Sequence, residues 1–134
     1  MVSTGVINID KPEGLTSMDV VRRIRKVSNV RRVGHGGTLD PFASGVLPIA
    51  IGSATRLLEY MLNGDKAYVA EIELGRSTDT YDKSGICTDT GDPSGVTHNH
   101  VTKALKEFEG DILQVPPMFS AIKSNGRKLY ELAR

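Results

Sequence analysis

A chain of 134 residues with 39% hydrophobic and 25% charged side chains is long enough to bury one core and too short for several domains. Its formal net charge of +1 excludes a global field for a polyanionic partner, so any basic surface must come from local clustering. The single Cys87 excludes an internal disulfide, no apolar run reaches membrane-span length, and the N-terminus lacks the order of a signal peptide; the expectation is a cytoplasmic protein with no membrane association.

In chain order, Val6-Ile7-Asn8-Ile9 reads as a short strand and Lys11-Pro12-Glu13-Gly14 as the turn that ends it. Thr16 with Asp19 three residues later matches a capping box, and Val20, Val21, Ile24 and Val27 form the apolar face of the helix it would start. Arg22, Arg23, Arg25, Lys26, Arg31 and Arg32 crowd the same segment. Next comes Gly34-His35-Gly36-Gly37-Thr38-Leu39-Asp40-Pro41-Phe42-Ala43-Ser44-Gly45, which places one carboxylate and one imidazole among four glycines. Glycine permits close approach and positive φ, and Pro41 fixes the exit from Asp40, so the stretch reads as a loop built around that acid. An Asp-Pro pair beside glycines is also common in plain turns. The apolar run Val46–Ile51 anchors the loop as a strand, and loops on rigid supports are where sites usually sit.

Ser53 or Thr55 is expected to cap a second helix carrying Leu57, Leu58, Met61 and Leu62 and ending at Asn63-Gly64. Tyr68–Leu74 partly alternates, which predicts a half-buried strand with Tyr68, Ala70, Ile72 and Leu74 on one face. Residues 75–100 are rich in Gly, Ser, Thr and Asp and read as the least ordered part, with Ile86-Cys87 the only strand fragment. A third helix is expected after Asn99, with Val101, Leu105 and Phe108 as its stripe and Gly110 as its stop. Strand, bend and strand follow over Ile112–Val115, Pro116-Pro117 and Met118–Ile122, then a Ser124-Asn125-Gly126 turn and the start of an amphipathic helix from Arg127.

Several motif explanations fail on spacing. No lysine follows a suitable glycine pair for a phosphate-cradling loop, and His-Gly-Gly lacks the Gly-x-Ser-x-Gly elbow that a lipase-like oxyanion loop accompanies. The acids around Asp79 do not fit a calcium loop, His98 and His100 lack a third ligand, and Asp89-Thr90-Gly91 lacks the apolar strand of an aspartic protease triplet.

Four segments taken together carry more: Ile7-Asn8-Ile9-Asp10-Lys11-Pro12 with Gly14-Leu15-Thr16-Ser17, the Gly34–Gly45 loop, Leu74–Asp82, and Val115–Lys123. In that order they closely resemble the TruB-type tRNA pseudouridine synthases, from Gly5 to Arg134. The resemblance implies an α+β pseudouridine synthase fold, a mixed, largely antiparallel bent sheet with helices around a central cleft, present only in part. It implies conversion of uridine 55 in the T loop of tRNA to pseudouridine with no cofactor and no metal. It makes Asp40 the catalytic aspartate, which can serve as nucleophile or as base. Tyr68 would stack on a flipped-out base, although a core tyrosine on a strand face is the plain alternative. His35 would enter the RNA, where its plain role is a bond to neighbouring backbone. Pro12, Gly37, Leu39, Pro41 and Gly45 would support the site. Lys11 belongs to the same supporting motif and could also meet phosphate, with Arg22, Arg31, Arg32 and Lys123 as further RNA contacts, and Arg127 and Lys128 behind them. The partner implied is the T stem-loop of tRNA, with no obligatory protein partner.

Two departures accompany the resemblance. Gly36 stands where the family usually has Thr or Ser. Family members also continue into a strand whose arginine pairs with the catalytic aspartate, often followed by an RNA-binding domain. Residues 1–134 are therefore expected to be the N-terminal portion of the catalytic domain, with little activity alone, and with an unpaired strand edge or exposed apolar patch. The alternative is a non-catalytic RNA-binding module that keeps the binding face of the fold.

Overall fold

The computed structural model describes residues 4–115, 123, 124 and 126–128. The chain divides into two compact units, Met1–Tyr68 and Val69–Arg134.

In the first unit, β1 (Gly5–Lys11) and β2 (Val33–His35) both run antiparallel to β3 (Gly45–Ile51), giving the order β1-β3-β2. Register is set by apolar alternation. Leu47, Ile49 and Ile51 fall on one face of β3 and are all buried. Against them pack Val20 and Val21 of α1 (Ser17–Ser28) and Val33, with Ile9, Ile24, Val30 and Leu39 at the margin. Pro48 sits inside the central strand, where a missing N–H would normally break a ladder. The break falls where β2 ends: His35 pairs with Ile49, and one step further the carbonyl of Pro48 accepts from Gly36 N at 2.8 Å. No ladder donor is required of Pro48 there.

Helix α1 begins with the expected capping box. Thr16 Oγ1 accepts from the Asp19 amide at 3.1 Å, and the Asp19 carboxylate accepts from the Thr16 amide at 3.0 Å. The helix ends in left-handed Asn29, φ 54°. One part of the expected stripe is wrong. Val27 is 86% exposed, because the Asn29 turn brings Val30 back onto the core in its place. The expected second helix also begins differently. Ser53 and Thr55 do not cap it: Ser53 Oγ is bonded to Thr4 Oγ1, and Thr55 Oγ1 donates to the Gly52 carbonyl. A 3-10 helix over Gly52–Leu57 leads instead into a short α2 (Leu58–Leu62).

The strand expected over Tyr68–Leu74 is absent. Those residues hold no regular structure, and Tyr68, Val69 and Ile72 are exposed. Alternation predicts a strand only where a neighbour supplies the ladder and a layer covers the apolar face, and among the described residues neither is provided.

In the second unit β4 (Arg76–Thr78) pairs antiparallel with β5 (Cys87–Thr90), so residues 75–100 are more ordered than their composition suggested. Polar side chains build the connection. Asp79 accepts from the Ile86 amide at 2.8 Å, and Asp82 accepts from the Ser84 amide and from Thr80 Oγ1, each at 2.8 Å. Helix α3 (His98–Leu105) is capped by Thr97, with His100 completing the box, and runs into a 3-10 turn over Lys106–Phe108 before Gly110. Ile112–Val115 is not a strand, and the strand expected over Met118–Ile122 lies outside the described residues. β6 (Lys123–Ser124) and β7 (Arg127–Lys128) pair across a two-residue connection, so Arg127 and Lys128 begin a strand and not the expected helix.

The Thr16 hydroxyl, with the Thr16 amide, holds the Asp19 carboxyl below its ordinary range. A carboxyl lowered in the folded chain contributes stability above its ordinary value and loses it as pH falls through the lowered one. Thr16→Ala is expected to cost about 1 kcal/mol in urea unfolding and to move the Asp19 titration, read by NMR, back up toward the ordinary value.

Candidate active site

Asp40 is itself exposed, yet the residues on either side of it are anchored. On one side, Ser17 Oγ accepts from the Leu39 amide at 2.9 Å and donates to the Leu39 carbonyl at 3.1 Å. Ser17 is 3% exposed and is the first residue of α1. On the other side, the Gly14 amide donates to the Pro41 carbonyl at 2.7 Å. The turn containing Gly14 (φ 82°) is itself tied down: Lys11 Nζ donates to the Pro12 and Leu15 carbonyls at 3.0 and 2.8 Å. Asp40 then closes a turn by accepting from the Ala43 amide at 3.0 Å through its own carbonyl. Its carboxylate projects from a backbone fixed at both neighbours.

This geometry revises Lys11. It is fully buried, with its ammonium on two backbone carbonyls, so a phosphate contact is closed to it and its place is in the support of the loop. Pro12 supplies one of those carbonyls. Leu39 and Pro41 carry the two anchors. Gly45 has φ 125°, a conformation that favours glycine, at the point where β3 pairs with Lys11.

Beside the loop lies a cleft of about 270 Å³ lined by Gly36, Gly37, Leu39, Pro48, Met61 and Tyr68, among others. It brings Tyr68 to the loop segment that leads to Asp40, although the two are 28 positions apart in the chain. Sequence reasoning missed the far wall. Gly34 and Gly36 have ordinary φ, and it is Gly34 that leaves room for α2. A Cβ on Gly34 would come 2.8 Å from Leu58 Cδ1, whereas one on Gly36 would meet Met61 and Pro48 at 3.4 Å. Lys66, another lining residue, closes the end of α2 by donating to the Leu62 and Gly64 carbonyls.

His35 is not in the loop proper. It is the last residue of β2, on the face it shares with Ile49, and its buried Nδ1 has no hydrogen-bond partner. The plain role of a bond to neighbouring backbone is therefore not filled at that nitrogen. Gly37 lines the cleft. Of the basic residues, Arg22 pairs with Asp19 at 2.6 Å and Arg25 donates to the Val33 carbonyl at 2.9 Å, while Arg31 and Arg32 are exposed. Lys123 lies on β6, in the other unit. Asp82 is held below the ordinary carboxylate range by Ser84 and Thr80 against the opposing effect of its partial burial, as a turn-building residue would be. Among the described residues no group of three or more His, Cys, Asp or Glu is arranged to hold a metal, and no helix is long and apolar enough to cross a membrane.

The TruB family pseudouridylate synthase N-terminal domain matches residues 25–134. The chain is 51% identical to the tRNA pseudouridine synthase B of Dehalococcoides mccartyi, covering 97% of this chain and 43% of that protein. It is 54% identical to the one from Moorella thermoacetica over the same shares. The chain thus spans less than half the length of these curated relatives. Among solved structures, a Cbf5-Nop10-Gar1 complex aligns with a TM-score of 0.61 at 37% identity, over 90% of this chain and 31% of that one. An H/ACA RNP bound to a substrate RNA containing 2'-deoxyuridine aligns at 0.59 with the same identity, over 84% and 30%. The fold is the α+β pseudouridine synthase fold, with antiparallel sheets. The chain belongs to the TruB family of pseudouridylate synthases.

Two measurements follow from the geometry. Ser17→Ala leaves both backbone groups of Leu39 without their partner in a buried place, and is expected to lower unfolding stability by about 1–3 kcal/mol. Of the two glycines under α2, Gly34→Ala is expected to lower the thermal midpoint more than Gly36→Ala, whose Cβ meets only ordinary contacts.

Proposed function

We propose that the chain supplies the aspartate-bearing part of a cytoplasmic tRNA pseudouridine synthase that converts uridine 55 of the T loop to pseudouridine. The observation that carries this reading is the anchoring of Leu39 and Pro41 on either side of Asp40, next to a cleft that Leu39 and Tyr68 both line.

The isomerisation breaks the bond from N1 of uracil to C1′ of the ribose, turns the base, and forms a bond from C5 to C1′; N1 gains a proton and C5 loses one. No atom enters or leaves, so neither cofactor nor co-substrate is called for. Asp40 provides the charged oxygen, as nucleophile on sugar or base or as base toward a ribose proton. With the backbone on both sides of Asp40 anchored, only its side chain remains to be ordered on meeting the substrate, which is where positioning lowers a barrier. Tyr68 is 69% exposed, so its ring is available to a base flipped out of its stack, an interaction worth about 1–3 kcal/mol that tolerates rotation of the base. His35, at the end of β2, is assigned to the RNA and not to proton transfer. The substrate is the T stem-loop, and the reading invokes no protein partner.

Asp40 has no ion-pair partner among the described residues. A cation beside the aspartate would orient it further, and a catalytic group out of its productive orientation can cost about a hundredfold in rate. The test uses excess chain over unmodified tRNA transcript. Slow pseudouridine formation is expected at position 55 alone, abolished by Asp40→Asn while RNA affinity stays within about threefold. Product that persists in Asp40→Asn would overturn the role of Asp40. Binding with no product at any time would favour a module that only binds RNA.

A further inference from the structure

The net charge of +1 hides a segregation. Residues 1–68 hold nine Lys and Arg against six Asp and Glu, and residues 69–134 hold eight against ten. Within the first stretch, positions 20–34 carry six basic residues and no acid. The structure sorts these six into two kinds. Arg22 is neutralised by Asp19, and Arg25 is committed to the Val33 carbonyl, where it fastens α1 to β2. The side chains of Arg23, Lys26, Arg31 and Arg32 are exposed and have no partner among the described residues.

Placement gives the four free cations a direction. Arg23 and Lys26 are three positions apart on α1, hence neighbours on its solvent side. Arg31 and Arg32 lead into β2, an edge strand whose outward Val33 carbonyl is already bonded to Arg25 of α1. From Arg32 to His35 is three strand steps, roughly 10 Å. One end of β2 therefore carries uncompensated positive charge, and the other opens into Gly36 and Gly37 at the cleft. All of this lies within one compact unit.

We propose that the surface where α1 meets the start of β2 is a phosphate track: a strand of the RNA whose base enters the cleft passes over it, with its backbone phosphates held by Arg23, Lys26, Arg31 and Arg32. Arg22 and Arg25 do not belong to the track. This deepens the reading of the chain as part of a tRNA-modifying enzyme and rests on it. Phosphate contacts position RNA without reading sequence, so removing them weakens binding uniformly and reduces its salt dependence.

The experiment measures fluorescence anisotropy of labelled T stem-loop RNA against the 134-residue chain from 50 to 300 mM salt, with circular dichroism to verify that each variant is folded. Arg31→Gln/Arg32→Gln is expected to weaken binding about tenfold or more at 100 mM salt and to flatten the slope of log K against log salt by about 1.4–1.8. Arg23→Gln/Lys26→Gln should act in the same direction, while Arg22→Gln should change affinity less than about threefold. If the parent chain binds and both double variants keep its slope, or if Arg22→Gln has as large an effect, the track is refuted and the functional reading stands. If the parent chain shows no salt-dependent binding, the functional reading falls and the track with it.

Discussion

The hydroxyl of Ser17 satisfies both the amide and the carbonyl of Leu39, and because Ser17 opens α1, the carboxylate one residue later takes its position from a helix end. The second grip, from Gly14 to Pro41, depends on a turn that a buried lysine holds. Burying an ammonium is costly unless its donors are used. Lys11 is tolerated because it bonds the Pro12 and Leu15 carbonyls on either side of the glycine whose amide reaches the loop. Strand β1, helix α1 and the loop are thus joined through three small polar anchors, each within a residue or two of Asp40 or of the turn that holds it.

The apolar core explains why these anchors stay in place. Val20 and Val21 seat α1 on Leu47, Ile49 and Ile51, and Leu39 packs against the same cluster. The loop is therefore fixed by burial at Leu39 and by hydrogen bonds at both flanks, while the acid between them remains in solvent. Across the sheet a different device operates. The missing side chain at Gly34 lets Leu58 approach, and the end of α2 then forms one wall of the cleft. Gly36 reads as a missing hydroxyl, and beside α2 a Cβ there would meet Met61 and Pro48 at ordinary contact distance, so the space does not require glycine.

The first unit was largely legible. The short apolar runs Val6–Ile9 and Val46–Ile51, and the Thr16–Asp19 pair, mark elements whose local signals agree with the packing they meet. The misreadings share a cause, which is that they concern partners distant in sequence. Tyr68–Leu74 alternates like a strand and lacks a described neighbour to pair with. Val27 has the helical spacing but loses its place to Val30, because Asn29 turns the chain. Lys11 looked available to phosphate until its carbonyl partners were located. In residues 75–100 composition suggested disorder, whereas Asp79, Thr80, Asp82 and Ser84 use their side chains to hold the hairpin connection. The Asp40 loop was recognisable from its residues; the role of Ser17 in it was not, since a serine after an N-cap threonine reads as ordinary helix start.

Native-state hydrogen exchange at the Leu39 and Gly14 amides tests most directly whether the site is held by its flanks. If Ser17 and the Pro41 carbonyl hold these two N–H groups, both should exchange only through opening events nearly as costly as those that release Leu47 and Ile49 in the core. Exchange at both amides as fast as in an open loop, with Leu47 and Ile49 still protected, would contradict the account and leave Asp40 on an unsupported turn.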